Sequence, residues 1–211
     1  MKKYLTIISL ICLVAATYAQ KKEEKKVRET FNKYKKALLE ESGSDAADQV
    51  DLNTITYYKM ILNKSLKADS VEVVNMDIID KLTIFTVRHR VPKEELMGGM
   101  TAKDFFAYSV DNGMIGKSSV MNITIGDVFV EGDSAKGQMI TAGQETPLFF
   151  GFRNEEGWKI DITSIFSATN EALQQMITSV DSTAEEWIFQ ALEMLTGKAP
   201  TNEIWNPIIK N

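Results

Sequence analysis

Cysteine is almost missing from the 211 residues: the only one, Cys12, lies in an apolar N-terminal run. That excludes a disulfide framework and a cysteine nucleophile, so the fold must rest on core burial. Histidine is nearly absent too. With His89 alone, no zinc constellation can form, and no metal or other cofactor is expected. There is no glycine-rich phosphate loop ahead of a helix and no Gly-x-Ser-x-Gly elbow. Basic residues number 24 against 29 acidic ones, a formal charge of −5. Nucleic-acid binders usually carry a basic face, so nucleic acid is not an expected partner. The one basic stretch, from Lys21 to Arg28, is interleaved with Glu23, Glu24 and Glu29, which at helical spacing describes a solvated face. Internal repeats, low-complexity segments and linkers are lacking as well.

What is present begins with a leader. Lys2 and Lys3 precede a nearly unbroken apolar run from Leu5 to Ala16, and Thr17-Tyr18-Ala19 puts small residues at the −3 and −1 positions of a cleavage site. The run is shorter than the roughly 20 residues needed to span a bilayer. Leu10 and Ile11 before Cys12 do not suit lipidation. Residues 1–19 therefore read as a secretory signal, with no transmembrane segment expected in the mature chain. Two of the 24 basic residues leave with it, so 22 face 29 acidic ones and the mature charge is −7. An exported chain without cysteine, rich in Lys, Asn and Ile, points to the periplasm or exterior of a Gram-negative bacterium. The Asn63-Lys64-Ser65 and Asn122-Ile123-Thr124 sequons are then coincidental.

Val27, Phe31, Tyr34 and Leu38 recur at helical spacing and predict a helix from about Glu23 to Glu41, ended by Ser42-Gly43-Ser44-Asp45. A second helix is expected from Asn53 to Lys67. A third, capped by Asp69 with Glu72, carries Val71, Val74, Ile78, Leu82 and Phe85 to about Arg88; an extended reading of Lys81–Val91 also fits the alternation of Thr83, Phe85 and Val87. Pro92 stops either element. Thr101 opens a short helix with Phe105, Phe106, Tyr108 and Val110, ended by Asn112-Gly113. Period-two alternation then predicts four antiparallel strands. Met121, Ile123, Ile125 and Phe129 share the inner face of the first; Leu148, Phe150 and Phe152 that of the third; Trp158, Ile160, Ile162 and Phe166 that of the last, with Asp161 pointing to solvent. Two helices follow. The first is capped by Ser167, with Leu173, Met176, Ile177 and Val180 inward; the second is capped by Ser182 with Glu185, and an apolar tail docks on the body. The fold class is α+β: N-terminal helices on a curved antiparallel meander, residues 20–166, with a helical extension over 167–211 packed on the same domain.

Gly132-Asp133-Ser134-Ala135 and Glu155-Glu156-Gly157-Trp158-Lys159-Ile160-Asp161, set behind helices, resemble the nuclear transport factor 2-like (SnoaL-like, cystatin-like) superfamily over about residues 23–166. The resemblance implies a cone-like sheet around a long helix, an apolar pocket and, for a family that often dimerises through its outer sheet face, a homodimer. It implies fold better than function, because such cones hold both enzymes and non-catalytic pockets.

An enzyme of that type needs an acid or base in the pocket. The candidates are Asp127, placed either in an exposed bulge or among the inward residues between Ile125 and Phe129, and His89. Arg88-His89-Arg90 reads as the solvated end of a helix, where cations suit the dipole. Tyr58, Phe85, Met97, Met100, Phe105, Met121, Phe150 and Trp158 are the candidate pocket lining; the methionines read mostly as core filler, with an adaptable mouth of Met97, Met100 and Met114 as the other reading, and Trp158 is otherwise a core residue. The expected function is an exported, non-catalytic binding protein for an apolar small molecule, a lipid or a partner protein. The alternative is a lyase or isomerase working by general acid–base chemistry.

Overall fold

The computed structural model describes the backbone of residues 2–209 and the side chains of residues 18–209, so the apolar run of the expected leader lies outside the described side chains. Helix α1 (Lys2–Leu39) is followed by α2 (Gly43–Ala47), α3 (Leu52–Lys67), α4 (Ser70–Val74), α5 (Ile78–Arg90), α6 (Lys93–Met97) and α7 (Ala102–Asp111). Strands β1 (Ile123–Glu131), β2 (Ser134–Thr141), β3 (Gln144–Asn154) and β4 (Trp158–Asp161) come next, then α8 (Phe166–Ser179), α9 (Ala184–Thr196) and a 3-10 turn, Asn202–Trp205. The fold is α+β, as expected. Among the described residues no helix is long and apolar enough to cross a membrane.

The strands form one antiparallel meander in chain order. Ala142 and Gly143 both take positive φ in the two-residue turn between β2 and β3, the backbone that a tight hairpin requires. On the inner face Val128 stands beside Gly137 and Phe150, and Val130 beside Ala135 and Phe152. Val27, Phe31, Tyr34, Ala37 and Leu38 bury the apolar stripe of α1 in the shared core. Phe31 packs on Phe150 with ring centroids 5.6 Å apart, and Thr30 Oγ1 donates to the Trp158 carbonyl at 3.1 Å.

Both outer strands are covered, which removes the template that an open sheet edge offers another chain. Along β1, Arg28 donates to the Ile125 and Gly126 carbonyls, and Lys35 to those of Met121 and Ile123. Along β4, Ile160 N donates to the Gln49 carbonyl at 2.8 Å and Asp51 N donates to the Ile160 carbonyl at 3.0 Å, so residues 49–51 act as a short parallel strap.

Several expected details change. Gly126 and Asp127 together oppose Gln138, and this bulge shifts the inward set from Ile123 and Ile125 to Val128 and Val130. Phe129 therefore turns outward, and Met121, before the strand, is 54% exposed. Asp161 has the outward phase expected of it, but the 3-10 turn Ile162–Ile165 folds back over it. Its carboxylate accepts from Thr163 N, Thr163 Oγ1 and Asn53 Nδ2 and is buried. The third helix is broken at Asn75-Met76-Asp77 into α4 and α5, which leaves Val71 and Val74 exposed; the extended reading of Lys81–Val91 does not hold, because α5 takes up all of it except Val91. The segment at Gly43 is itself a helical turn. A side chain there would meet the Ala107 carbonyl oxygen at 2.1 Å, so glycine allows α2 to lie against α7. The caps of α3 and α9 are Asp51 and Thr183 rather than Asn53 and Ser182, and α8 starts at Phe166 straight from the 3-10 turn without a side-chain cap. Helix α8 buries Ile177 but leaves Met176 and Val180 in solvent. The tail docks: Ile204 is buried, and the Trp205 ring lies 4.7 Å from that of Phe85.

Candidate functional site

Successive residues at a helix end point about 100° apart. At the end of α5 this spreads Arg88, His89 and Arg90 toward three different elements. Arg88 Nε donates to the Ser65 carbonyl at 2.9 Å, and Nη2 to those of Lys64 at 3.1 Å and Ala68 at 2.5 Å, which caps the C-terminus of α3. Its Nη1 donates to the Ile204 carbonyl at 3.0 Å and so holds the tail. Burial lowers the guanidinium pKa, yet the group stays charged. His89 Nε2 lies 3.0 Å from Thr196 Oγ1 at the end of α9. Since the Thr196 hydroxyl donates to the Leu192 carbonyl at 2.7 Å, Nε2 is assigned as the protonated nitrogen. Arg90 donates to the Asn112 carbonyl at 2.7 Å and the Gly113 carbonyl at 3.2 Å, closing the end of α7. The trio is thus not a solvated helix end. It joins α3, α7, α9 and the tail, cations meeting the carbonyls of helix C-termini. Lys81 adds a second tie to α9, its Nζ 2.7 Å from Glu185 Oε1. Burial alone would raise the Glu185 carboxyl, but the Lys81 ammonium outweighs it and holds the pKa low.

Two cavities border this junction. One, of about 300 Å³, is lined on its apolar side by Tyr58, Leu82, Val87, Met114, Ile115, Leu192 and Leu195. Thr83, Thr86, Arg90, Ser109 and Ser118 supply polar groups around it. Burial, with the Tyr34 and Tyr57 rings nearby, pushes the Tyr58 phenol well above its ordinary value and keeps it neutral. The other cavity, of about 370 Å³, lies under the tail between Arg88, His89, Lys93, Lys198, Thr201, Glu203 and Asn206.

Of the expected lining residues, Tyr58 alone borders the apolar cleft. Phe85, Phe105, Phe150 and Trp158 are buried in the core, with Trp158 Nε1 donating to Glu23 Oε2 at 2.8 Å. Met97 is 62% exposed and Met121 is also on the surface, while Met100 packs partly buried against the core. Asp127 is the extra residue of the β1 bulge and is exposed. His89 borders the polar cavity, so the two acid–base candidates do not share a site. Met114 lines the cleft, but Met97 and Met100 do not, so the three methionines are not brought together as one mouth. The lining from α5 and α9 has no separate signal in the sequence, because Leu82, Leu192 and Leu195 fit the ordinary apolar stripes of their helices. Leu195 at 73% exposure shows that the stripe is wider than the core needs.

Among the described residues no group of His, Cys, Asp or Glu is arranged to hold a metal ion. Comparison with protein-family models, with curated proteins and with solved structures gives no match to this chain.

Proposed function

We propose that the chain is an exported, non-catalytic binding protein, of the outer compartments of a Gram-negative cell, that holds a small apolar or amphipathic molecule such as an acyl chain in the α5–α7–α9 cleft. The observation that carries this reading is the cleft's lining: an apolar floor, hydroxyls and one guanidinium around it, and neither carboxylate nor imidazole among the lining residues. Small-molecule sites are of this kind, mostly apolar with a few convergent polar groups, from about 300 Å³ upward. A general acid or base must lie within hydrogen-bond reach of its substrate, and Asp127 and His89 both lie elsewhere. Export is supported by the leader pattern and by the exposure of residues 18–20, Val27 being the earliest described core residue. The sequence of helices, meander and helices supports a place near the nuclear transport factor 2-like cones.

Native mass spectrometry of the protein purified from its own periplasm is the direct test, with a panel of medium-chain fatty acids added to the stripped protein. A bound adduct is expected on the parent. Leu195→Arg, at an exposed position on the lip, should weaken binding by about tenfold or more while leaving the fold intact. A parent that carries no adduct and takes up none of the panel would overturn the reading.

A further inference from the structure

We infer that the second cavity, under the C-terminal tail, is a binding site for an oxyanion, the phosphoryl or carboxyl group of a small metabolite or of a lipid headgroup. The chain is acidic overall, yet Arg88, His89, Lys93 and Lys198 converge on this one cavity, with Glu203 the only carboxylate in its lining among the described residues. Helix C-termini gather nearby, so the cations first have to be weighed as partners for backbone carbonyls. That role accounts for Arg88, whose donors all point at the carbonyls of residues 64, 65, 68 and 204. It does not account for the lysines. Among the described residues, the side chains of Lys93 and Lys198 make no hydrogen bond and no ion pair, although both border the cavity.

The neutral groups point the same way. Thr201 precedes the 3-10 turn without using its hydroxyl as a cap, and among the described residues the Asn206 carboxamide makes no hydrogen bond. The lining therefore offers two ammonium groups, a hydroxyl and a carboxamide as unengaged donors. Such a donor set matches the several acceptor oxygens of a phosphoryl or carboxyl group. Arg88 adds a fixed positive charge that no carboxylate within ion-pair distance neutralises among the described residues, and partial burial strengthens its field. At about 370 Å³ the cavity has room for an oxyanion carrying an organic body. Glu203 opposes the anion, which supplies a test of sign. The site shares no lining residue with the apolar cleft and does not depend on it.

The test is an amide-shift titration of the isotope-labelled intact chain with inorganic phosphate, chloride being withdrawn to hold ionic strength constant. A parallel flotation assay uses vesicles with and without phosphatidic acid. Saturable shifts gathered at residues 88–93 and 198–206 identify a free anion; flotation that requires phosphatidic acid identifies a headgroup. In either arm Lys93→Ala/Lys198→Ala should weaken binding about tenfold or more, because it removes two charged donors. Glu203→Gln should tighten binding, and Lys59→Ala/Lys136→Ala, which removes two exposed lysines elsewhere, should leave it unchanged. All these positions are exposed, so the variants should fold. The inference is overturned by the absence of binding in both arms. Equal affinity in the two double variants, or weaker binding by Glu203→Gln, overturns it as well.

Discussion

Neither oxygen of the Asp51 carboxylate reaches water, and among the described residues only one has a hydrogen bond. Oδ1 accepts from Thr54 N at 2.9 Å as the cap of α3, while Oδ2 has no hydrogen-bond partner and lies 3.9 Å from Arg153 Nε. Burial raises its pKa against the pull of the Thr54 bonds, and the Asp161 and Glu155 charges raise it further. A carboxyl with a folded pKa above its unfolded value of about 4 binds more protons in the folded state. Its contribution is complete below pH 4 and is lost as pH rises through the folded value. Asp51→Asn keeps the capping oxygen and removes the buried charge. The variant should therefore gain on the parent as pH rises from 4, by the order of 1 kcal/mol near neutrality. Urea midpoints from pH 3.5 to 7.5 measure this; an advantage that grew toward acid would contradict it. Asp51→Ala, which removes the charge but loses the cap as well, should lie about 1 kcal/mol below Asp51→Asn at every pH.

At the scale of elements, α5 is held at its end by contacts that no local pattern announces. Arg88→Met would leave carbonyls of α3 and of the tail without a donor, and with partners in this number the loss should reach about 2–4 kcal/mol. Because the tail is held by the same guanidinium, the Trp205 emission should shift toward that of exposed tryptophan before global unfolding. Arg88→Lys should recover only part of the stability, since an ammonium lacks the planar fork. If Arg88→Met unfolds at the parent's urea concentration, the clamp contributes nothing. The contrast with Thr101 and Asp104 explains what could be read in advance. Their capping box is set by neighbours three residues apart, and the helix opens at Thr101, where the pattern placed its start. Period-two alternation likewise located all four strands. It failed at Phe129, whose phase is reversed by the extra residue of the bulge that was one reading of Asp127, and at the exposure of Asp161, where the phase was right but a later turn covers the side chain. The cavity beneath the tail brings Lys93 and Lys198 together across distant segments, a juxtaposition that spacing along the chain does not encode.

For the molecule as a whole, the described core packing lies after the expected cleavage point. Residues 18–20 are exposed, and among the described side chains the first long-range tie is Glu23 to Trp158 Nε1 and the earliest core residue is Val27. If the leader is removed after Ala19, the new N-terminus at Gln20 lies on the first helix, clear of the sheet. If the leader forms no part of the folded body, a chain starting at Gln20 should match the full-length chain in unfolding free energy from urea titration to within about 0.5 kcal/mol. A chain starting at Asn32 would lose the Glu23–Trp158 bond together with Val27 and Phe31, both fully buried. Removing a buried phenylalanine alone costs about 3–5 kcal/mol, against a total stability of only 5–15 kcal/mol for a typical domain. That shorter chain should be unfolded or nearly so at room temperature. Intact mass of the protein recovered from culture fluid or periplasm checks the first half, with Gln20 expected at the N-terminus. Circular dichroism of the two shortened chains checks the second. A chain from Gln20 that is markedly less stable than the full-length one would place part of the core in residues 1–19 and undo the division between leader and body.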